Sequence, residues 1–223
     1  MLVHGLLDRG SSFDRAVSHL GGAELITYDR RGCHDSTELG VPARGLHDHA
    51  DDLIAILERT SGARTRPSVI VGHSFGGQVA VMAAMRRPDL VRGVGTFETA
   101  QAWEDWWPEP HRSRVRDSNP PTRDSSGSSD PVVAARRAVE LATSSSDKAS
   151  IATAPYDLSG LDLPLVIGWG TSSMASAVDG YRELARRLQL RTVEIVGAGH
   201  MAHRTHPEEF AGFVRTVLST AAA

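Results

Sequence analysis

The segment Val69-Ile70-Val71-Gly72-His73-Ser74-Phe75-Gly76-Gly77 limits what this chain can fold into more than any other part of it. Its β-branched apolar run reads as a buried strand, and Gln78–Arg86 has helical period, so the chain passes from strand to helix within Gly-x-Ser-x-Gly. A turn that tight brings backbone against backbone. Glycine at 72 and 76 leaves room for this, and Ser74 is held in a strained conformation at the tip. Its hydroxyl then projects from a strand end, ahead of a helix N-terminus whose free N–H groups favour developing negative charge.

The rest of the chain repeats the alternation. Strand-length apolar runs at Met1–Val3, Leu25–Tyr28, Ser68–Val71, Val91–Phe97, Leu165–Trp169 and Val193–Val196 are separated by segments of helical period. That pattern predicts an α/β fold, a mostly parallel sheet with helices on both faces. His47–Thr60 carries Ala50, Leu53, Ile54 and Leu57 at spacings of three and four, and Gln78–Arg86, Gly180–Leu188 and Pro207–Leu218 read the same way. Pro88 falls just beyond the second of these, where a helix has to stop.

Between about Ala100 and Tyr156 the alternation breaks. Trp103, Trp106 and Trp107 open the stretch, Asp117–Asp130 is rich in Ser, Pro and Asp and is expected to be flexible, and Pro131–Thr143 regains helical character through Val132, Ala135, Val139 and Ala142. With 223 residues the chain has enough length for one sizeable core. The expected division is a core of residues 1–99 and 157–223 carrying a small helical cap insertion at 100–156.

The formal net charge of -3 is spread without a basic stripe, so nucleic acid is not expected as a partner. No export signal precedes the first strand, and no apolar run approaches the roughly 20 residues of a membrane span. One cysteine, Cys33, cannot form an internal disulfide. These features predict a cytoplasmic monomer or homodimer acting on a small molecule, with no membrane partner, no metal and no cofactor.

Besides the serine turn, Leu2-Val3-His4-Gly5, Tyr28-Asp29-Arg30-Arg31-Gly32, Arg87-Pro88-Asp89-Leu90-Val91 and Gly197-Ala198-Gly199-His200 stand in an order and spacing that resemble the α/β-hydrolase superfamily. The likeness is to its small cofactor-free esterases, lactonases and dehalogenase relatives. It covers most of the chain. Members usually have two antiparallel strands ahead of the one ending in His-Gly, and this sequence begins at that strand. The resemblance implies Ser74 as nucleophile and His200 as its base, with backbone N–H groups of Leu6 and Phe75 as the oxyanion hole. His4 and Gly5 would then border the substrate pocket, His4 as a structural hydrogen-bonder.

The acid departs from the commonest pattern. Where relatives have Gly-x-x-Asp, this chain reads Gly170-Thr171-Ser172-Ser173, and a serine cannot stabilise an imidazolium by charge. Glu98, at the end of Val91–Phe97, is the preferred alternative, because some dehalogenase-like relatives place their acid there; Asp179, Asp157 and Asp162 are weaker candidates. Trp103, Trp106 and Trp107, just past Glu98, would anchor the insertion, wall an acyl pocket, or do both. Cys33-His34-Asp35 lies in the family's Arg-Gly-x-Gly-x-Ser loop, with His34 in place of a glycine, and reads as structural. His47 and His49 would point to different sides of their helix and make no metal site.

The expected chemistry is therefore hydrolysis of a carboxylic ester, lactone or thioester of a small, mainly apolar substrate through an acyl-enzyme on Ser74. A serine nucleophile disfavours displacement at an alkyl halide or epoxide carbon. A perhydrolase, a carbon–carbon hydrolase, or an impaired small-molecule receptor on the same scaffold are the competing readings.

Overall fold

Period-two alternation along the strands sorts the apolar side chains into two layers, one on each face of a parallel sheet. The structure is a computed structural model that describes residues 1–22, 24–61, 67–117 and 130–222. Among these residues, strands β1 (Leu2–Val3), β2 (Ser68–His73), β3 (Val91–Phe97), β4 (Leu165–Gly170) and β5 (Arg191–Ile195) lie side by side in chain order, all parallel. The helices are α1 (Asp14–Val17), α2 (Leu46–Ser61), α3 (Phe75–Arg86), α4 (Glu109–Asp117), α5 (Pro131–Thr153), α6 (Ala175–Leu188), α7 (Ala202–Thr205) and α8 (Pro207–Thr220).

Ile70, Val94, Leu165, Ile167 and Trp169 face Leu53 and Leu57 of α2, Val79 of α3, and Tyr181 and Leu184 of α6. Val69, Val71, Phe97 and Val166 face the other way, onto Ala16 of α1 and Phe210, Phe213 and Val217 of α8. Each large side chain buried this way contributes about 1.5–3 kcal/mol. The two layers together hold the strand carboxyl ends in fixed register.

β1, β2, β3 and β4 match the sequence pattern to within two residues at each end, and the other two expected strands differ in kind or in both bounds. Leu25–Tyr28 is not a strand: Thr27 makes a single parallel bridge to Leu2, and the Leu2 N–H donates to the Ile26 carbonyl at 2.9 Å. Its neighbour β1 is two residues long, and Asp29 turns aside to accept a hydrogen bond from the Gly10 N–H at 2.7 Å, so a ladder has nothing to extend along. The last strand runs Arg191–Ile195 rather than Val193–Val196, because Val196 is 81% exposed and Gly197 takes φ 77°.

In the insertion, the helix starting at Pro131 runs on to Thr153, well past Thr143. Asp130 caps it by accepting from the Val132 N–H at 2.8 Å. Val132 and Ala135 of the apolar stripe stay exposed, while Thr143, Ser144, Asp147 and Ser150 are buried, so the docked face is polar. Asn119-Pro120-Pro121 and Ser125-Ser126-Gly127-Ser128-Ser129 lie outside the described residues. No described helix is long and apolar enough to cross a membrane.

Candidate active site

Ser74 sits between β2 and α3 with φ 54° and ψ -124°, in the region where side chains other than glycine are strained. The glycines around it are required by contact. A methyl group at Gly72 would lie 2.2 Å from the Gly76 carbonyl oxygen, and one at Gly76 would lie 2.2 Å from the Val3 carbonyl oxygen. The elbow therefore presses α3 against the end of β1. Register pairs His73 with Phe97, which sets Ser74 level with Glu98, and the Ser74 N–H donates to the Phe97 carbonyl at 2.8 Å. Among the described residues the Ser74 hydroxyl has no hydrogen-bond partner.

Glu98 also has φ 54°, and its buried carboxylate collects three donors. His200 Nδ1–H donates to Oε2 at 3.0 Å, the Gly170 N–H donates to Oε1 at 2.9 Å, and the Ser173 hydroxyl donates to the same Oε1. Burial pushes this carboxyl up, but the bonds from His200, Ser173 and Gly170 outweigh it and hold Glu98 below the usual carboxylate range. Ser173, at the position where the family resemblance would place an acid, thus holds Glu98 from the next strand. With Nδ1–H committed to Glu98, the neutral His200 presents Nε2 as an acceptor, and its side chain is half exposed. Asp179 and Asp162 are exposed, and Asp157 is bonded to Ser159 at 2.7 and 2.8 Å.

His73 braces His200 from behind. It is buried, its Nε2–H donates to the His200 carbonyl at 2.7 Å, and its ring centroid lies 4.7 Å from that of His200. A methyl at Gly5 would lie 3.1 Å from Ser74 Cβ, which puts the end of β1 beside Ser74. Among the described residues neither the Leu6 nor the Phe75 N–H is engaged. His4, expected at the pocket, does not line it: the ring is fully buried, Nε2 accepts from the Arg30 N–H at 2.9 Å, and Nδ1–H donates to the Gly5 carbonyl at 2.9 Å. Both ring nitrogens are thus used on backbone.

The three tryptophans separate. Trp107 is 1% exposed and packs edge-on against Tyr181 at 5.4 Å, over Gly180, where a methyl would lie 2.6 Å from the indole; it anchors the insertion rather than facing a substrate. Trp103 packs on Tyr156 at 4.7 Å. Trp106, under the Arg187 guanidinium at 4.6 Å, lines a cavity of about 370 Å³ with Gln101, Asp157 and Leu188, and none of Ser74, Glu98 and His200 borders it.

His111 on α4, which the sequence did not single out, is held by Trp107. The Trp107 indole N–H donates to its Nδ1 at 2.8 Å, which leaves the proton on Nε2. Burial lowers its pKa, and it feels the charges of Glu98 and His200. Among the described residues its Nε2–H has no partner.

Among the described residues two further groups bring three ligand-type atoms within 4.8 Å of one another, Asp8–His73–His203 and Asp29–His34–Asp35. Members of both bond nearby protein, and the buried Nδ1 atoms of His73 and His203 have no hydrogen-bond partner among the described residues. His203 donates to Asp8 at 3.3 Å and Arg204 pairs with the same carboxylate, while His34 lies 3.0 Å from Asp29 with Arg9 on its other nitrogen. His34 has φ 44°, the backbone region a glycine would favour. Cys33 is buried, and burial pushes its thiol up to about 11, away from reactivity.

Burial lowers the pKa of His4 to about 3 and also lowers His49 and His73, with Arg30 adding to the effect at His4 and His49 and the other imidazoles at His73. Below the ordinary histidine value the unfolded chain takes up protons that the folded chain refuses. Stability therefore falls as pH falls, by about 1.4 kcal/mol per unit for each excluded proton. Glu98 and Asp147, held low, lose their contributions in the same direction as pH falls through their folded values. Thermal unfolding should show Tm dropping steeply from pH 6.5 to pH 5, and a flat profile would mean that these imidazoles ionise inside the fold.

Comparison with known proteins places this geometry. The model of the alpha/beta hydrolase family matches residues 1–213. Lipase LipV of Mycobacterium tuberculosis is 30% identical over 117 residues, 52% of this chain and 40% of LipV. The 2-(acetamidomethylene)succinate hydrolase of Mesorhizobium japonicum is 31% identical over 97 residues, 42% of this chain and 33% of that protein. The matched stretches thus span well under half of these relatives. The solved structure of a thermophilic esterase from Thermogutta terrifontis shares the fold, with TM-score 0.72 at 24% identity over 100% of this chain and 89% of that one.

Proposed function

Because this chain belongs to the alpha/beta hydrolase family, we propose that it is a serine hydrolase cleaving a carboxylic ester, lactone or thioester of a small, mainly apolar substrate through an acyl-enzyme on Ser74. The observation that carries this reading is Ser74 at the elbow level with Glu98 at the end of the neighbouring strand, with Glu98 holding His200. His200 Nε2 takes the Ser74 proton as Oγ adds to the substrate carbonyl carbon, and the carbonyl electron pair moves to oxygen. The Leu6 and Phe75 N–H groups stabilise that oxyanion, and Glu98 stays ionised to hold the imidazolium. Collapse expels the alcohol or thiol, which leaves with the proton from His200. Water then repeats the sequence on the acyl-enzyme and releases the carboxylic acid.

In this reading the described parts of the insertion, residues 100–117 and 130–156, serve as a cap, with His111 offering its Nε2–H to a substrate oxygen. The names of the lipase and the succinate-type hydrolase among its relatives fit an ester or related bond. The test is a fluorophosphonate reporter together with p-nitrophenyl esters of increasing acyl length. Stoichiometric labelling at Ser74 and a preference for short acyl chains are expected; labelling elsewhere, or no turnover of any ester or thioester, would overturn the reading.

A further inference from the structure

Arg30 is a fully buried cation that donates two hydrogen bonds to carbonyls just past the end of β1 and a third to α5. Nη2 donates to the Gly5 carbonyl at 2.9 Å, Nε donates to the His4 carbonyl at 3.1 Å, and Nη1 donates to Asp147 Oδ2 at 2.8 Å. The guanidinium also stacks over the Phe75 ring at 5.0 Å. The second donor to the Gly5 carbonyl is His4 Nδ1–H. One cation therefore touches the Phe75 ring and the carbonyl end of the Gly5–Leu6 peptide, whose other end is the Leu6 N–H.

The geometry assigns Arg30, clamped by Asp147 of α5, as the positioning residue of the Gly5–Leu6 peptide, an assignment that rests on the hydrolase reading for what that peptide does. The Gly5 C=O and the Leu6 N–H are opposite ends of one planar trans peptide, so fixing the oxygen aims the N–H the other way. Two donors on that oxygen, one of them cationic, also draw electron density toward it and make the Leu6 N–H a stronger donor.

The clamp comes from 117 residues further along the chain, in the insertion. Asp147 Oδ1 accepts from His49 Nε2–H at 2.7 Å, completing a buried Arg30–Asp147–His49 network. The loops under α5 are shaped for it. Thr143 Oγ1 accepts from the Ala43 N–H and Ser150 Oγ from the Leu46 N–H, both at 3.1 Å. A methyl at Gly32 would lie 1.9 Å from Thr143 Oγ1, and one at Gly45 would lie 2.0 Å from Ser150 Oγ. A lysine cannot replace the arginine fork, which spans three acceptors in one plane.

A buried ion pair that only stabilises the fold would change Tm and nothing else. The experiment compares wild type, Arg30→Lys and Asp147→Asn by two readouts: the Leu6 amide cross-peak in ¹⁵N–¹H spectra of the free protein, and kinetics on an oxygen ester and its thiono analogue. A thiono ester puts sulfur where the oxyanion would form and depends less on the hole. In both variants the Leu6 peak should move, and kcat for the oxygen ester should fall roughly ten- to a hundredfold with KM little changed, lowering the oxygen-to-thiono ratio. Folded variants with an unmoved Leu6 peak and an unchanged ratio would overturn the assignment. If the wild type neither labels with a fluorophosphonate nor turns over either ester while the Leu6 peak still moves in the variants, the hydrolase reading falls and the positioning of the peptide stands.

Discussion

Ser74→Ala is expected to lower kcat on a short p-nitrophenyl ester by roughly 10⁶-fold and to abolish fluorophosphonate labelling. The loss is this large because the hydroxyl forms the only covalent bond the protein makes in the proposed cycle, and without it the oxyanion donors and His200 have no tetrahedral adduct to stabilise. The fold should be almost untouched. The Ser74 hydroxyl has no partner among the described residues, and alanine pays the same backbone strain at φ 54° that serine does. Tm should therefore stay within a few degrees of wild type, which separates lost chemistry from lost structure. Turnover that survives the substitution in a labelled, folded protein would put the nucleophile elsewhere.

Glu98→Gln should cost roughly 10⁴-fold in kcat with KM nearly unchanged. Three donors, the Gly170 N–H, the Ser173 O–H and His200 Nδ1–H, converge on the carboxylate. A glutamine has a single carbonyl oxygen. The Gly170 N–H is fixed in the backbone and will hold that oxygen, so the amide NH₂ turns toward His200. Facing a donor, His200 shifts its proton to Nε2, the tautomer that cannot accept from Ser74. A near-normal rate in Glu98→Gln would mean that some other carboxylate orients the base, and the contacts of Ser173 would then need another explanation.

What the sequence revealed and what it hid divide along a physical line. Ser74 was legible because a β-branched run, two glycines and a helical pattern are all local. Glu98 could be reached because it ends a strand, and strand ends in a parallel sheet meet at one edge; the register pairing His73 with Phe97 is what makes that edge a site. His200 stood out by its glycine-rich loop after the last strand. Ser173 was read as a vacancy, since sequence shows that a carboxylate is missing but not that a hydroxyl can serve the acid beside it. His111 lies in Glu109–Asp117, a segment so charged that it looks like a solvated face. Leu25–Tyr28 shows the converse: its local pattern is that of a strand, but its partner is too short to pair along it.

Arg30 and Asp147 were hidden for a different reason. Their pairing crosses most of the chain, and the usual search for an apolar stripe looks at the wrong side of α5. The signal was present as Thr143, Ser144, Asp147 and Ser150, polar side chains at helical spacing with valines and alanines on the solvent side. Such an inverted helix has to find its partners in backbone donors and a buried cation.

That inversion governs how α5 would come away from the core. An apolar helix that detaches exposes oily surface, and the step is promoted by denaturant and carries a large heat-capacity increment. Detachment of α5 would instead hydrate a carboxylate, a guanidinium and several hydroxyls, so it should be nearly insensitive to urea and should respond to ionic strength and acidity. The docking of α5 and the stability of the sheet are then governed by different solution variables, and one can change while the other stays constant.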